Sequence, residues 1–175
     1  CASARTRPRA AVHSMQVELR LPAEAPVEEP ARPVVVDTNV ALDLLIFSDP
    51  RTAPLRTLLA QGRLHWIATQ VMRDELERVL AYPHIVSRMD FYRVDAAQVL
   101  AAFDAQARLV DIAPRVAYVC KVADDQKFID LAAAHRAILL SKDKAVICMR
   151  KRLLTLDAHV ATALVLDESL AAAAA

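Results

Sequence analysis

Four acidic residues, Asp37, Glu75, Asp125 and Asp143, stand at comparable places in four separate segments of this 175-residue chain. Carboxylates that come together repel each other, and each tends to keep its proton unless a cation lies between them. Mg²⁺ and Mn²⁺ are bound in proteins by a few carboxylates together with water and phosphate oxygens. One or two such ions activate water and stabilise the attacking and leaving oxygens of an in-line phosphodiester cleavage. The four acids therefore predict a metal-dependent phosphodiester hydrolase, provided that the fold brings them together.

Each acid also has a purely structural interpretation. Asp37 follows a predicted strand, where an acid is a good cap for the next helix. Asp124 and Asp125 open a predicted helix, where acids interact favourably with the helix dipole and the free amides, so the choice between them stays open on these grounds. Asp143 is suited to a loop or to a helix N-cap. Glu75 borders an apolar stripe, which is unusual for a solvated charge.

From residue 33 onwards the chain alternates between predicted strands and predicted helices. The strands are short apolar runs, with Val34-Val35-Val36 the clearest, and they are predicted at residues 34–38, 65–68, 109–112, 137–140 and 153–156. The helices have apolar residues at helical spacing, caps such as Asn39 and Thr69, and a terminating Gly62. They are predicted at residues 39–47, 52–61, 69–82, 157–170 and from 124 to the next strand, and residues 85–108 are predicted to be mostly helical. Residues 115–123 are compatible with a strand or a loop.

Strands separated by helices pair in parallel through right-handed crossovers. This pattern predicts a three-layer α/β/α sandwich with a central, mostly parallel sheet of four or five strands. The carboxyl ends of parallel strands share one edge, where the ligands of such sheets bind. Asp37 and Asp143 each follow a strand, and Glu75 and Asp125 lie near the starts of helices. We therefore expect all four side chains to reach the same edge.

The composition excludes several other kinds of protein. The chain has the length of one domain, and its 55% hydrophobic content is ample for a core. The formal net charge of +1 is too small to attract nucleic acid over the whole surface. The single glycine, Gly62, excludes the dinucleotide-binding turn and the P-loop, which both need several glycines.

The cysteines and histidines indicate no metal site of their own. The three cysteines are odd in number and share no C-x-x-C spacing, which argues against a disulfide framework and a zinc knuckle and favours a reducing cytosol. The five histidines are scattered along the chain. No apolar run approaches the roughly 18–20 residues that span a bilayer. We therefore expect a cytoplasmic protein without a membrane partner.

The two ends of the chain differ in composition from residues 33–170. Residues 1–32 carry Arg5, Arg7 and Arg9 and four prolines, which predicts a leader that is disordered or derived from an expression vector. An amphipathic organelle-targeting peptide is the alternative for this segment. Residues 171–175 are an alanine tail.

Taken together, the motifs resemble the PIN domain family of metal-dependent ribonucleases, in particular the VapC-like toxins of bacterial toxin–antitoxin pairs. The likeness covers about residues 33–157, and its motifs are Val34-Val35-Val36-Asp37-Thr38-Asn39, Thr69 through Glu75-Leu76, Asp125-x-x-Phe128-x-x-x-Ala132, and Leu139-Leu140-Ser141-Lys142-Asp143. Glycine is common near the fourth acid in this family. Here Ser141-Lys142 stands instead, which affects the shape of the loop and leaves the acid in place.

The resemblance implies a PIN-like nuclease domain at residues 33–170 and roles for individual residues. Asp37, Glu75 and Asp125 match the metal-coordinating acids and Asp143 a frequent fourth, so all four are expected to bind Mg²⁺ or Mn²⁺ and to be catalytic. The spacing within the motif favours Asp125 over its neighbour. Polar support around the pocket is expected from Thr38, Asn39, Ser141 and Asp124. The resemblance also implies an RNA substrate, an antitoxin protein as partner, and a homodimer.

Basic residues cluster around the fourth acid and are the best candidates for RNA contact. Their expected role is to bind the phosphate backbone, and they are Lys142, Lys144, Arg150, Lys151 and Arg152. A solvated basic loop, or a surface for an acidic partner, is the alternative.

Two other functions compete with a ribonuclease. The first is a catalytically silent RNA- or protein-binding module of the same fold, against which the presence of all four acids argues. The second is a phosphatase with an aspartate nucleophile. That reaction normally uses a second aspartate two residues after the first, where this chain has Asn39.

Overall fold

A computed structural model describes residues 16–25 and 28–170 of the chain. Its strands are β1 (Glu18–Pro22), β2 (Arg32–Val36), β3 (Leu64–Ala68), β4 (Ala107–Leu109), β5 (Ile138–Leu140), β6 (His159–Ala161) and β7 (Ala163–Asp167). Its α-helices are α1 (Thr38–Leu45), α2 (Ala53–Ala60), α3 (Gln70–Leu80), α4 (Pro83–Phe91), α5 (Ala96–Gln106), α6 (Gln126–His135), α7 (Lys144–Ile147) and α8 (Arg150–Leu154). Short 3₁₀ turns at Pro50–Thr52 and Ala123–Asp125 precede α2 and α6.

The centre of the fold is a five-stranded parallel sheet in the order β4-β3-β2-β5-β6. The middle strand β2 places Val34 opposite Trp66 of β3 and Val36 opposite Leu140 of β5. Val34 and Val35 have no exposed surface, as expected of β-branched residues in a strand covered on both faces. Among the covering helices, α6 packs against β2 and β5, and α2 packs against β3. The predicted three-layer α/β/α sandwich is confirmed.

Helix ends follow the predicted caps at several places. Gly62 adopts a φ of +70° just after α2, as predicted for a glycine that ends a helix. Thr69 caps α3, because its hydroxyl accepts a hydrogen bond from the Met72 amide. The longest helices, α3 and α5, have 11 residues each, and in the described part of the chain no helix is long and apolar enough to cross a membrane.

The region between α3 and α6 agrees with its prediction in part. Residues 85–108 are mostly helical, as predicted, but they form two helices, because Arg93 takes a left-handed φ of 56° and Asp95 begins α5 with a reciprocal capping box to Gln98. Strand β4 begins two residues before the predicted strand at 109–112. Residues 115–122, for which a strand and a loop were both possible, form no helix or strand.

Both predictions for the C-terminal region are wrong. Residues 150–154 form α8 where a strand was expected at 153–156, and β6 and β7 replace the helix expected at 157–170. Alanine and leucine favour a helix by propensity, but Val160 and Leu164 are buried where β6 pairs with β5 and β7 pairs with β1. Burial against neighbouring strands outweighs local propensity here.

A strand also lies within the segment predicted to be a leader. β1 pairs in parallel with β7, and Arg20 forms an ion pair with Asp167 at 3.0 Å. The Thr162 hydroxyl accepts the Val17 amide at 2.9 Å, which ties the same two segments together. The expectation of disorder is therefore wrong for residues 18–22. Residues 1–15, 26–27 and 171–175 lie outside the described residues, and the predictions made for them stay predictions.

Candidate functional site

Asp37 is fixed at the carboxyl end of the central strand. Its amide donates to the Leu140 carbonyl at 3.0 Å, which continues the pairing of β2 with β5 one residue beyond the strand. Its carboxylate oxygen Oδ1 accepts the Val40 amide at 2.9 Å and so caps α1. The prediction that Asn39 is the cap is wrong, because α1 already begins at Thr38. The side chain of Asp37 is only 5% exposed.

Ser141 links Asp37 to Asp143. Its side chain is completely buried, and its hydroxyl donates to Asp37 Oδ2 while accepting the Asp143 amide at 3.1 Å. Asp143 in turn caps α7, since its Oδ1 accepts the Ala145 amide at 2.9 Å. Burial raises the pKa of Asp37 above its ordinary value, and the hydrogen bond from Ser141 partly opposes that rise. One hydroxyl therefore orients two of the predicted site residues.

Asp125 faces the same carboxylates from the turn that leads into α6. Burial raises its pKa to about 7, with further increases from a hydrogen bond to Asp143 and from the charges of Asp143 and Asp37. Its Oδ2 atom is buried and has no hydrogen-bond partner. Asp124 is exposed to solvent. The structure thus places Asp37 and Asp143 close enough to Asp125 for their charges to raise its pKa.

A buried polar network holds the irregular segment before α6. The Gln126 side chain accepts the Cys120 amide at 2.6 Å and donates to the Tyr118 carbonyl at 3.0 Å and to Asp130 Oδ1 at 2.9 Å. The same Asp130 oxygen accepts the Val116 amide at 3.0 Å. Neither Gln126 nor Asp130 was predicted to be a site residue or to support the site. The available signal was two polar residues four positions apart on a helix face that is otherwise apolar.

Glu75 belongs to a different pair. Lys127 Nζ lies 2.9 Å from Glu75 Oε2, and the two side chains are 24% and 22% exposed. The contact is an ion pair by distance but lacks hydrogen-bond geometry, so Glu75 Oε2 is buried without a hydrogen-bond partner. The ammonium donates instead to the Asp124 carbonyl and lies 5.0 Å from the ring centre of Phe128. Lys127 was also not predicted as part of the site.

The donor set suits a hard divalent cation in its chemistry. A buried carboxylate oxygen of Asp125 has no hydrogen-bond partner, and the pKa values of Asp37 and Asp125 are raised, which is the condition that a bound cation relieves. As the side chains stand, however, no three or more acidic, histidine or cysteine groups within residues 16–25 and 28–170 are arranged to share one metal ion. Asp37, Asp125 and Asp143 are the residues that would hold it.

Two of the expected supporting residues form no side-chain hydrogen bond within the described part of the chain. Thr38 is half-buried and Asn39 is exposed, both in the first turn of α1. Within the described ranges, neither side chain makes a hydrogen bond to another protein group. Their supporting role stays a prediction.

A cavity of about 510 Å³, in the size range of small-ligand sites, is lined in part by Lys142 and Lys144, the neighbours of Asp143 in the chain. Its lining combines apolar side chains with three acids and three bases, and the charged residues are Glu18, Asp43, Asp49, Arg51, Lys142 and Lys144. Lys142 forms an ion pair with Asp43, and its charge lowers the pKa of Asp37. The other three basic residues of the predicted RNA patch, on α8, are exposed and lie outside this lining: Arg150, Lys151 and Arg152.

Comparison with known proteins gives one clear result. A search of curated proteins found no match. The family model described as PIN domain matches residues 33–145. This match begins just inside β2 and ends after Asp143, so that it includes all four acids and the central strands β2, β3 and β5. It covers more than half of the chain, and the protein therefore belongs to the PIN domain family.

Proposed function

We propose that this protein is an Mg²⁺- or Mn²⁺-dependent endoribonuclease that hydrolyses RNA phosphodiester bonds. PIN domains are generally nucleases that bind nucleic acid. The observation that carries the proposal is the meeting of Asp37, Asp125 and Asp143 at the carboxyl edge of the sheet, where the charges of Asp37 and Asp143 raise the pKa of Asp125 and its buried Oδ2 atom has no hydrogen-bond partner.

Each residue of the site has a defined task in this proposal. The carboxylates of Asp37, Asp125 and Asp143 hold the cation, with Glu75 at the border of the site. When bound, a divalent ion supplies an activated water and charge neutralisation for the phosphate. Ser141 keeps the Asp37 carboxylate in one orientation, because its hydroxyl donates to Oδ2. Before metal binding, Asp125 is about half protonated at neutral pH, since its pKa is about 7.

The RNA backbone is bound by basic residues next to the acids. Lys142 and Lys144 line the cavity beside the site, and a nucleotide adjacent to the cleaved bond would lie there. The α8 residues form a second part of the basic surface for phosphate contacts: Arg150, Lys151 and Arg152. This arrangement favours single-stranded RNA, because its bases are free to enter a cavity.

The cellular role that we propose is that of a toxin held in check by an antitoxin, acting as a homodimer in the cytoplasm. Support comes from the resemblance to VapC-like proteins. A neighbouring small gene for a DNA-binding antitoxin would be the cheapest supporting observation. Growth arrest on expression, relieved by co-expression of that gene, tests the role directly.

A silent binding module of the same fold is the second candidate. The ion pair of Lys127 with Glu75 favours it, because an acid already neutralised by an ammonium has less need of a metal ion. The two candidates differ in one measurement. A binding module would retain labelled RNA without shortening it under any metal condition.

The test of the ribonuclease uses purified full-length protein and defined single-stranded RNA. We expect cleavage with Mn²⁺, no cleavage after chelation, and no cleavage by Asp37→Asn. Asp111→Asn is the matched control, because Asp111 is an exposed acid that is not among the predicted site residues. Wild-type activity of Asp37→Asn would exclude Asp37 as a metal ligand.

A further inference from the structure

The cavity lined by Lys142 and Lys144 has a wall that lies outside the residues matched by the PIN domain model. Strands β1 and β7 supply this wall, and Glu18 of β1 lies opposite Ala163 of β7 in the register of their pairing. The match covers residues 33–145 and so includes neither strand. A function of this cavity therefore does not follow from the family match alone.

The apolar part of the lining suits the flat face of a nucleobase. Its larger side chains are at most 5% exposed and come from four different segments: Val40, Leu55, Leu140, Ile147 and Leu164. Proteins that hold an unpaired base pack its faces between apolar or aromatic side chains and bind its edge through a few polar groups. The cavity volume of about 510 Å³ is ample for one base.

Two of the charged residues in the lining are available to a ligand. Lys142 forms an ion pair with Asp43, and Arg51 lies 3.7 Å from Asp49. Glu18 and Lys144 are exposed, and within residues 16–25 and 28–170 neither forms an ion pair. A lining with one available carboxylate and one available ammonium fits a ligand that carries both hydrogen-bond donors and a negative charge. A nucleotide has both.

The cavity also shares residues with the acidic site. The Val40 amide donates to Asp37 Oδ1, and the Leu140 carbonyl accepts the Asp37 amide. Two lysines of the lining stand on either side of Asp143 in the chain. A strand of RNA with one phosphate at the acids would therefore have a neighbouring nucleotide at the cavity.

We propose that the cavity binds one unpaired base beside the cleaved bond and selects a base that carries an amino group, so that cytosine is preferred to uracil. Glu18 is the specificity-determining residue, because a carboxylate accepts hydrogen bonds from the amino group of cytosine, whereas uracil presents an acceptor oxygen at that position. Lys144 binds the adjacent phosphate. The inference rests on the proposed function and adds a base preference to it.

The test compares hexanucleotides of cytidine and of uridine, whose bases have rings of the same size. Binding is measured by fluorescence anisotropy in chelating buffer, where no metal-dependent cleavage occurs. We expect the wild-type chain to bind the cytidine hexanucleotide about tenfold more tightly. Glu18→Gln should reduce this preference to less than about threefold, because an amide both donates and accepts hydrogen bonds. The control Glu24→Gln changes an exposed acid outside the lining and should keep the full preference.

A second variant fills the cavity. Ala163→Leu should weaken binding of the cytidine hexanucleotide by about fivefold or more, because the longer side chain occupies the space of the base. Ala102→Leu, at a half-buried alanine of α5 outside the lining, should leave binding unchanged. Thermal unfolding verifies that both variants fold. Glu18→Gln keeps the test decisive if Ala163→Leu does not, since Glu18 is exposed.

Three results would overturn the inference. They are equal binding of the two hexanucleotides by the wild-type chain or binding of neither, an unchanged preference in Glu18→Gln, and undiminished binding by a folded Ala163→Leu. The last result would leave the cavity to a protein partner.

The outcomes also separate this inference from the proposed function. A cytidine preference that depends on Glu18, without RNA cleavage under any metal condition, would overturn the ribonuclease and leave the base pocket standing. RNA cleavage with no preference for cytidine over uridine would do the reverse.

Discussion

The Ser141 hydroxyl donates a hydrogen bond to the Asp37 carboxylate, although the two residues are 104 positions apart in the chain. The bond joins the ends of the adjacent strands β2 and β5 and is fully buried. It therefore connects the stability of the sheet edge with the ionisation of a site residue.

Replacement of this serine tests that connection. We expect Ser141→Ala to lower the free energy of unfolding by about 1–3 kcal/mol, because two buried groups lose a partner. The pKa of Asp37 should rise further, so RNA cleavage should fall about 10- to 100-fold and its pH profile should move to higher pH. Urea unfolding and cleavage rates across pH measure both effects. Ser87→Ala, at an exposed serine of α4, should leave both unchanged, and an unshifted pH profile in Ser141→Ala would contradict the assigned role.

The adjacent acids Asp124 and Asp125 are expected to differ in their effect on metal binding. Millimolar Mg²⁺ should raise the melting temperature through binding to the native state, by about 2–4 °C for each kcal/mol gained. Asp125→Asn should remove most of this shift in melting temperature, because the buried Oδ2 atom of Asp125 has no hydrogen-bond partner within the protein. Asp124→Asn should preserve the shift, since that side chain is exposed. Thermal unfolding with and without Mg²⁺ decides the matter, and the reverse ranking would assign the ligand to Asp124.

The raised pKa of Asp125 makes stability depend on pH when metal is absent. Its pKa is about 7 in the folded chain against a model value of 3.8. The folded state therefore binds more protons between those values, and the free energy of unfolding should fall as pH rises from about 4 to about 7. Because the group is partly exposed, we expect a loss of about 1 kcal/mol. Burial also raises the pKa of Asp37, which adds a slope of the same sign.

Urea unfolding in chelating buffer at several pH values measures this dependence. Asp125→Asn should flatten the slope and should be more stable than the wild type above pH 7. Identical slopes in the two proteins would show that Asp125 is not the titrating group.

Lys142 and Lys144 are expected to bind phosphate rather than bases. The double variant Lys142→Met/Lys144→Met should weaken binding of single-stranded RNA by a similar factor for all sequences. The slope of log affinity against log salt should shrink by about 1–1.5, the amount expected for two lost phosphate contacts on a single strand. Fluorescence anisotropy at several salt concentrations measures it. Arg115→Met/Lys121→Met removes the same charge at exposed positions, and an equal loss there would indicate only a general charge effect.

The sheet and three of the four acids could be predicted because their signals are local. Val34-Val35-Val36 is a buried strand by its residue types alone, and Asp37 follows it directly. Asp125 and Asp143 likewise adjoin elements whose boundaries the apolar pattern marks. The topology of a parallel sheet then brings these three positions to one edge.

The partner of Glu75 could not be predicted in this way. Its contact with Lys127 depends on how α3 and the start of α6 lie relative to each other, and nothing within either segment encodes that distance. The C-terminal strands were missed for a related reason. Residues such as Val160 and Leu164 become strand residues through the neighbours with which they pair, although their own surroundings in the sequence favour a helix.

The pairing of β1 with β7 has a practical consequence for anyone who shortens this protein. A version begun at Pro33, where the composition changes, would keep the four acids of the site but would remove the backbone partners that β1 provides to β7. Such an uncovered strand recruits a strand from another molecule. We expect the shortened protein to aggregate. Its activity would then be low although all four acids of the site are present.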